Sequence, residues 1–369
     1  MPKSPLLIIS ASGRALAASA ARAGLSCVVL DLFNDLDTRA IAAASRACAT
    51  RSGRFHGAGL LNAARALQPG EGYEACVIGS GFEGRPALLR ALARELPYLG
   101  NTPECIEQIK DPQRFFSMLD ALGIGHPEVR FTPPPSLPGW LSKRIGGAGG
   151  GHVRRAELGW PRRERRYFQR YQGGRLMSAL FLADGKRAVI AGCSEQWCQP
   201  LSRLAPFAYG GAVSLDEIPG ELPRIATDLA RTLALRGLNG LDFIVEEGCV
   251  HVIELNPRPT ATLDLHDERV EGGLLCAHIA ACRGELPASL QPMSGQSAHA
   301  ILWSQGPWQV PALLQWPAWV TDIPPSGTPV PARRPVCSVH ARAATSAAAR
   351  RKVHERLQSL SSMLWPMAA

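Results

Sequence analysis

Apolar runs and amphipathic stretches alternate over the first hundred positions. Leu6, Leu7, Ile8 and Ile9 form a run within 5–10, Gly13 comes next, and an alanine-rich helix is predicted to about position 23. Residues 25–30 predict a second strand, ending at Asp31. Residues 75–79 predict another, which leads through Ser80-Gly81-Phe82-Glu83-Gly84 into a helix over 85–95, and a short strand is expected at 98–100. Such strand–helix alternation predicts a parallel sheet covered on both faces. The loop Ser10-Ala11-Ser12-Gly13 lacks the GxGxxG spacing, so the sheet is read as a support rather than a dinucleotide site.

The pattern then changes. Phe115, Phe116, Leu119 and Leu122 recur at helical spacing over 111–122, closed by Gly123 and Gly125. After the proline run at 133–135, strands are expected at 137–144, 166–171, 178–182 and 188–192, with a hairpin turn at Asp184-Gly185. A helix is predicted over 222–235, and a second hairpin joins 241–245 to 250–255 about Glu247-Gly248. From about 297 the chain becomes rich in Trp and Pro. A strand at 336–342 and a helix at 346–359 complete a small α+β tail.

At 369 residues, 46% hydrophobic and 19% charged, the chain is expected to be a soluble protein of two or three domains. The stretch 297–320 comes nearest to a membrane span but is broken by Gln305, Gly306, Pro307 and Pro311. Lys3 and the apolar run at 6–9 mimic a leader peptide. The run is short and Arg14 stands close behind it, so a strand entering a helix is the reading preferred. The ten cysteines show no CxxC pair or zinc spacing, which suits a reducing cytoplasm. Of 40 basic residues only Lys3, Lys110, Lys143, Lys186 and Lys352 are lysines. A lysine that persists in so arginine-biased a chain points to a position where a compact ammonium is needed. The seven arginines between 154 and 170 are read as a solvated face, since no RNA-binding motif accompanies them. Asp264-Leu265-His266-Asp267-Glu268 reads as a second metal cluster or as a surface loop, and the Trp-rich stretch as packed core.

Two segments carry candidate chemistry. In the hairpin, Asp242 and Glu254 come near each other, and Asn256, two residues on, shares the face of Glu254. Two carboxylates and an amide oxygen form a hard-oxygen set suited to Mg²⁺ with nucleotide phosphates, and Arg258 could hold an anion. A solvated hairpin with an acidic edge is equally consistent with these residues. In the second segment, a strand delivers Lys143 to the glycine-rich loop at 146–151. Glycines let backbone N–H groups close over phosphates, but Lys precedes them, which excludes the Walker order.

Together these segments resemble the ATP-grasp superfamily, over roughly residues 98–285 and with the parts in the same order. The resemblance places Lys110 and Lys143 at the two phosphate-binding lysines and Gly147, Gly149 and Gly150 in the phosphate lid. Tyr167-Phe168-Gln169-Arg170-Tyr171 is similar to the hinge that binds adenine, which carries Gln169 and Tyr171 into the nucleotide site; Arg170 stands where the family usually has Glu. Asp242, Glu254 and Asn256 fall on the metal ligands, with Asp at 242 in place of the more usual Glu, and Arg258 on the catalytic arginine.

The resemblance implies α/β and α+β domains. These are a preATP-grasp parallel-sheet domain at 1–100, an ATP-grasp domain at 101–290 with its lid subdomain at about 130–175, and a C-terminal α+β cap at 291–369. It implies ATP and Mg²⁺ (or Mn²⁺) as cofactors and a cytoplasmic carboxylate–amine ligase working through an acyl phosphate, with release of ADP and phosphate. Small-molecule carboxylate and amine substrates are the expected partners, without nucleic acid or membrane; a homodimer is left open. The whole chain further resembles predicted carboligases of methylotrophic bacteria linked to methylofuran and tetrahydromethanopterin metabolism, whose archaeal relative joins glutamate to tyramine. The alternatives are a carboxylase-type enzyme that activates bicarbonate and a nucleotide-binding regulatory protein without turnover.

Overall fold

The computed structural model describes residues 4–48, 54–161 and 163–365; Lys3 and Arg162 lie outside them. The first unit is a five-stranded parallel sheet. Its spatial order is Ala44–Ala47, Cys27–Asp31, Leu6–Ile9, Cys76–Ile78, Tyr98–Leu99. Leu7 and Ile9 face helices Gly57–Ala66 and Pro86–Glu95, packing with Leu60, Ala63, Leu89 and Leu92. Leu6 and Ile8 face the other way, onto helix Arg14–Arg22 and onto Leu180, Leu182, Leu263 and Leu274 of the next unit. Burial on both faces is why these strands read as unbroken apolar runs. Ala44–Ala47, with sequence Ala-Ser-Arg-Ala, has no such run; it is an edge strand created by its pairing with Cys27–Asp31.

Strand order reverses between Leu6–Ile9 and Cys76–Ile78. The loops after these two strands, 10–13 and 79–84, therefore open beside each other at the carboxyl edge, the usual location of chemistry in such sheets. Here that edge faces the second unit, through Arg14 and Glu83.

The second unit is an antiparallel sheet of eight strands. Its order is Cys249–Asn256, Arg236–Glu246, Arg175–Asp184, Ala188–Gln199, Ala208–Leu215, Gln296–Trp303, Pro335–Ala343, Val320–Thr321. Met177, Ala179, Phe181 and Ala183 point to helices Pro112–Ala121 and Leu222–Leu233, while Leu180 and Leu182 point to helix Leu274–Cys282 and the first unit. The predicted helix at 111–122 begins where the Asp111 carboxylate caps the amides of Gln113 and Arg114. A separate four-stranded sheet, Val129–Arg130, Arg166–Arg170, Trp140–Arg144, Val153–Arg155, carries the glycine loop between its last two strands.

The tail from 297 does contain a strand and a long helix, but its strands extend the central sheet instead of forming a sheet apart. Helix Ser346–Leu364 covers them, and Trp308, Trp316 and Trp319 pack against the same core. All ten cysteines are free thiols. Among the described residues no helix is long and apolar enough to cross a membrane.

Asn101 ties the units together. Its buried amide donates to Asn239 Oδ1 (2.8 Å) and to the Pro257 carbonyl (3.0 Å), and its oxygen accepts from the Arg236 amide (2.8 Å). Asn101→Ala is expected to lower stability by about 1–3 kcal/mol for each buried group left unpaired. The urea midpoint measures this, and an unchanged midpoint would show that the junction is held elsewhere.

Candidate active site

The carboxylate pair depends on a bulge. Glu247 and Gly248 both take positive φ (51° and 83°), as a two-residue type I′ hairpin requires. Counting back from that turn without interruption would set Asp242 opposite Ile253 and Leu241 opposite Glu254. The register shifts between Asp242 and Phe243, so that Phe243 faces Val252 while Asp242 faces Glu254. One extra residue, Ile253, lets Phe243 and Val252 share the core and Asp242 and Glu254 share the other face. Asn256, two residues on, donates its amide N–H to Asp242 Oδ2 (3.0 Å), and Gln196 donates to Asp242 Oδ1 (3.0 Å).

Lysines answer this charge. Lys110, in the last turn of helix Pro103–Lys110, donates to Glu254 Oε1 (2.6 Å), the Leu255 carbonyl (3.0 Å) and Asn256 Oδ1 (3.1 Å). Burial opposes ionisation of Glu254, but Lys110 more than offsets it, and the carboxyl lies below its usual range. Asp242 goes the other way: burial first, then the charge of Glu254, raise its pKa. Lys143 is buried on strand Trp140–Arg144, and burial lowers its pKa despite the pull of Glu254 and Asp242. Lys110, Lys143, Glu254, Gly147 and His152 line one cleft, walled on its apolar side by Ile109, Phe115, Phe116 and Tyr167.

The glycine loop roofs the cleft. Gly150 has φ +73°, and a side chain there would run into the Phe207 carbonyl. The Gly149 carbonyl accepts from the Tyr209 amide (3.2 Å), so the loop is docked on strand Ala208–Leu215. Gly149 and Gly150 thus seat the loop, while Gly146 and Gly147 face the cleft. The hinge residues are placed less directly. Gln169 is buried with its Nε2 unpartnered, and Tyr171 is 48% exposed beneath the Arg155 guanidinium; the cleft wall on this strand is Tyr167.

Arg258 reaches the first unit. Its Nε donates to Glu83 Oε1 (2.6 Å), and Nη2 lies 2.5 Å from the same oxygen. Burial would raise the Glu83 pKa, but Arg258 and Lys110 hold it at about 2. In the sequence Glu83 reads as part of a connecting loop; its position two residues after Gly81, at the end of an apolar strand, is the only local signal. The segment 264–268 is largely buried rather than a surface loop, and its members have separate partners. Asp264 pairs with Arg14, His266 Nε2 meets Ser194 Oγ (2.8 Å), and Asp267 accepts from Ser19, Arg22 and the Leu274 amide. Among the described residues no group of three His, Cys, Asp or Glu side chains is placed to hold a metal there.

Residues 111–262 match the ATP-grasp domain family. That stretch takes in Lys143, Asp242, Glu254, Asn256 and Arg258. The chain's curated relatives include the carbamoyl phosphate synthase large chains of Vibrio vulnificus, 27% identical over 208 residues, and of Deinococcus radiodurans, 24% identical over 231 residues. These matches cover 48% and 50% of this chain, and only 19% and 21% of the synthases, so the chain spans about a fifth of their length. Similar solved structures are biotin carboxylase from Campylobacter jejuni (TM-score 0.69, 16% identity, 94% of this chain and 89% of that one) and the biotin carboxylase domain of the Hydrogenobacter thermophilus 2-oxoglutarate carboxylase (TM-score 0.71, 14% identity, 96% and 89%). The latter was solved with magnesium ADP and bicarbonate. At these identities the likeness establishes the fold: a parallel-sheet domain, then an antiparallel ATP-grasp domain and its cap.

The Glu83–Arg258 pair sets a pH dependence. The folded-state pKa, about 2, lies below the ordinary 4.5, so the pair's stabilisation is complete above 4.5 and is lost as pH falls from there toward 2. Glu83→Gln is expected to lose stability less steeply than the native chain across that window, read as denaturation midpoint against pH. Equal slopes would mean that the pair contributes nothing.

Proposed function

We propose that this protein is an ATP-dependent ligase that activates a small-molecule carboxylate as an acyl phosphate and passes the acyl group to an amine. The observation that carries this reading is the gathering of Lys110, Lys143, Asp242, Glu254 and Asn256 beneath one glycine loop, with Arg258 on the adjoining edge. Phosphoryl transfer needs alignment and charge stabilisation more than a protein nucleophile. Lys143 and Lys110 supply positive charge toward the phosphates, and the glycine backbone closes over them. Arg258, held in place by Glu83, faces the carboxylate being activated.

The donor set also fits a divalent cation. Asp242 and Glu254 face each other, and the Asn256 amide oxygen already accepts from the Lys110 ammonium, so three oxygens converge where positive charge is favoured. Hard oxygen donors of this number suit Mg²⁺ shared with nucleotide phosphates, where it would neutralise charge on the β- and γ-phosphates. In the first step a carboxylate oxygen attacks the γ-phosphorus and ADP leaves. In the second the amine nitrogen attacks the carbonyl carbon, phosphate departs with that oxygen, and the nitrogen gives up a proton.

Within this class, glutamate with a tyrosine- or tyramine-like amine, as in methylofuran-type cofactor synthesis, is the first pair to try; the resemblance of the whole chain is its support. A cytoplasmic setting accords with ten free thiols. A second reading, activation of bicarbonate, is favoured by the likeness to biotin carboxylases, which runs through the cap.

One experiment separates them. With ATP and magnesium, we expect ADP and phosphate only when both an acid and an amine are present, with label from an ¹⁸O-carboxylate appearing in the phosphate. ADP formation driven by bicarbonate alone would favour the carboxylase reading, and AMP would exclude both. Glu254→Gln, which keeps volume but removes an anionic oxygen, is expected to abolish turnover with the fold intact.

A further inference from the structure

Asp35 opens the short helix Leu36–Ile41 at the seam between the parallel-sheet unit and the cap, where its Oδ1 accepts from the Thr38 amide (2.7 Å). Asp35 is 1% exposed and Thr38 is fully buried. The other oxygen of Asp35, Oδ2, has no hydrogen-bond partner among the described residues, and neither have Asn34 Oδ1 and Thr38 Oγ1 in the same segment. Orphaned oxygens gathered in this way call for a cause, because nearly all buried polar atoms are paired. A carboxylate oxygen and an amide oxygen can only accept, so the cluster is short of donors. The carboxyl of Asp37 stands in hydrogen-bonding contact with that of Asp35, and two carboxylates in contact repel unless one of them keeps a proton.

Asp37 is what grips the cap here. Its carboxylate accepts from the backbone amides of Asp322 (2.7 Å) and Ile323 (2.8 Å), and the Leu36 amide donates to the Ile323 carbonyl (2.8 Å). The Asp322 carboxylate accepts in turn from Ser12 (3.1 Å) and Arg14 (3.3 Å), and Arg14 donates to Asp264 (3.0 Å) in the loop beyond Arg258. Arg14 Nε lies 3.9 Å from Asp37, while its ion pairs with Asp264 and Asp322 are closer, and Asp35 receives none from it. Arg39 bonds the Asn34 carbonyl (2.8 Å), and Arg46 of the edge strand is exposed. The remaining titratable groups at the seam are Asp31, within electrostatic reach of Asp322, and Cys337 and His340, which feel Asp37. Burial first, then contact with Asp37, raises the Asp35 carboxyl from 3.8 to about 7, with Thr38 pulling the other way.

We infer that this seam is a proton-dependent joint between the parallel-sheet unit and the cap: Asp35 and Asp37 share one proton when the joint is closed, and loss of that proton drives the two carboxylates apart and loosens the hold of Asp37 on the cap loop. The proton resides on Asp35 and supplies the donor that the cluster lacks. Asp37 keeps its charge, because two amides and Arg14 face it. Closing the joint takes one proton from solvent and opening returns it. The inference is independent of the reaction in the cleft. Through Asp322, Arg14 and Asp264 the joint sets how firmly the loop beyond Arg258 is held.

A carboxyl whose folded-state pKa is raised above its ordinary 3.8 contributes stability that is complete below 3.8 and is lost as pH rises to about 7. The buried imidazoles of His152, His266, His278 and His299 are pushed below 6.5 and act in the opposite sense, so the quantity to read is a difference between variants. Asp35→Asn keeps the volume and supplies an N–H without a charge. In the full chain its denaturation midpoint is expected to gain on the native one as pH rises from 3.8 to about 7, and to hold that lead above. A difference that does not change with pH, or one that shrinks as pH rises, would overturn the inference. Hydrogen exchange reads the joint itself. Protection of the Asp322 and Ile323 amides, corrected for the intrinsic pH dependence of exchange, is expected to fall by up to about tenfold per pH unit over that range in the native chain and to show no such fall in Asp35→Asn. Equal protection in the two chains overturns the joint even where the midpoints diverge. Should the variant fail to fold, the ¹³C resonance of the Asp35 carboxyl in the native chain decides. A titration midpoint of about 7 is expected, and a carboxyl that titrates in the ordinary range near 3.8 overturns the inference.

Discussion

Everything at the candidate site depends on one extra residue in one strand. Ile253 shifts the register of the hairpin so that Asp242 lies across from Glu254. Two half-buried carboxylates on neighbouring strands repel, and like charges directly opposite are unfavourable in a sheet. The arrangement is tolerated because Lys110 bonds Glu254, amides from Gln196 and Asn256 satisfy Asp242, and Lys143 stands within electrostatic reach of both. Remove the bulge and Glu254 would sit opposite Leu241, a core residue, with its charge turned toward the apolar interior.

The same charge requirement organises the units around it. Arg258 belongs to the strand end that carries Glu254 and Asn256, yet its partner, Glu83, comes from the switch-point loop of the parallel sheet. Asn101, at the exit of that sheet, holds the Pro257 carbonyl one residue away. Arg14, Asp264 and Asp322 complete the contact from the first helix, the loop beyond Arg258 and the cap. The carboxyl edge of the parallel sheet thus serves as the backing for the arginine.

The central sheet and the glycine loop are held by different means. The central sheet is buried on both faces and shares a core with the first unit. The glycine loop, by contrast, is seated through backbone contacts at Gly149 and Gly150, with little apolar area to hold it. Segments with few buried apolar contacts are the ones that open at low cost.

Local pattern was enough for the sheet of apolar strands at 5–10, 25–30 and 75–79, the helix at 111–122, the hairpin about Glu247-Gly248 and the nearness of Asp242 to Glu254. Each rests on information within one segment: unbroken apolar runs, helical spacing, a turn pair, or residue types two apart. It was not enough for the edge strand Ala44–Ala47 or the strand Ala208–Leu215, which exist because a neighbour offers them a ladder. Nor did it reveal the bulge, since counting back from a turn assumes one residue per rung. Glu83 and Gln196 were equally invisible, because each acquires its meaning from a partner contributed by a distant segment of chain. Alternation along a strand says which way a side chain points; only packing between units decides what it meets there.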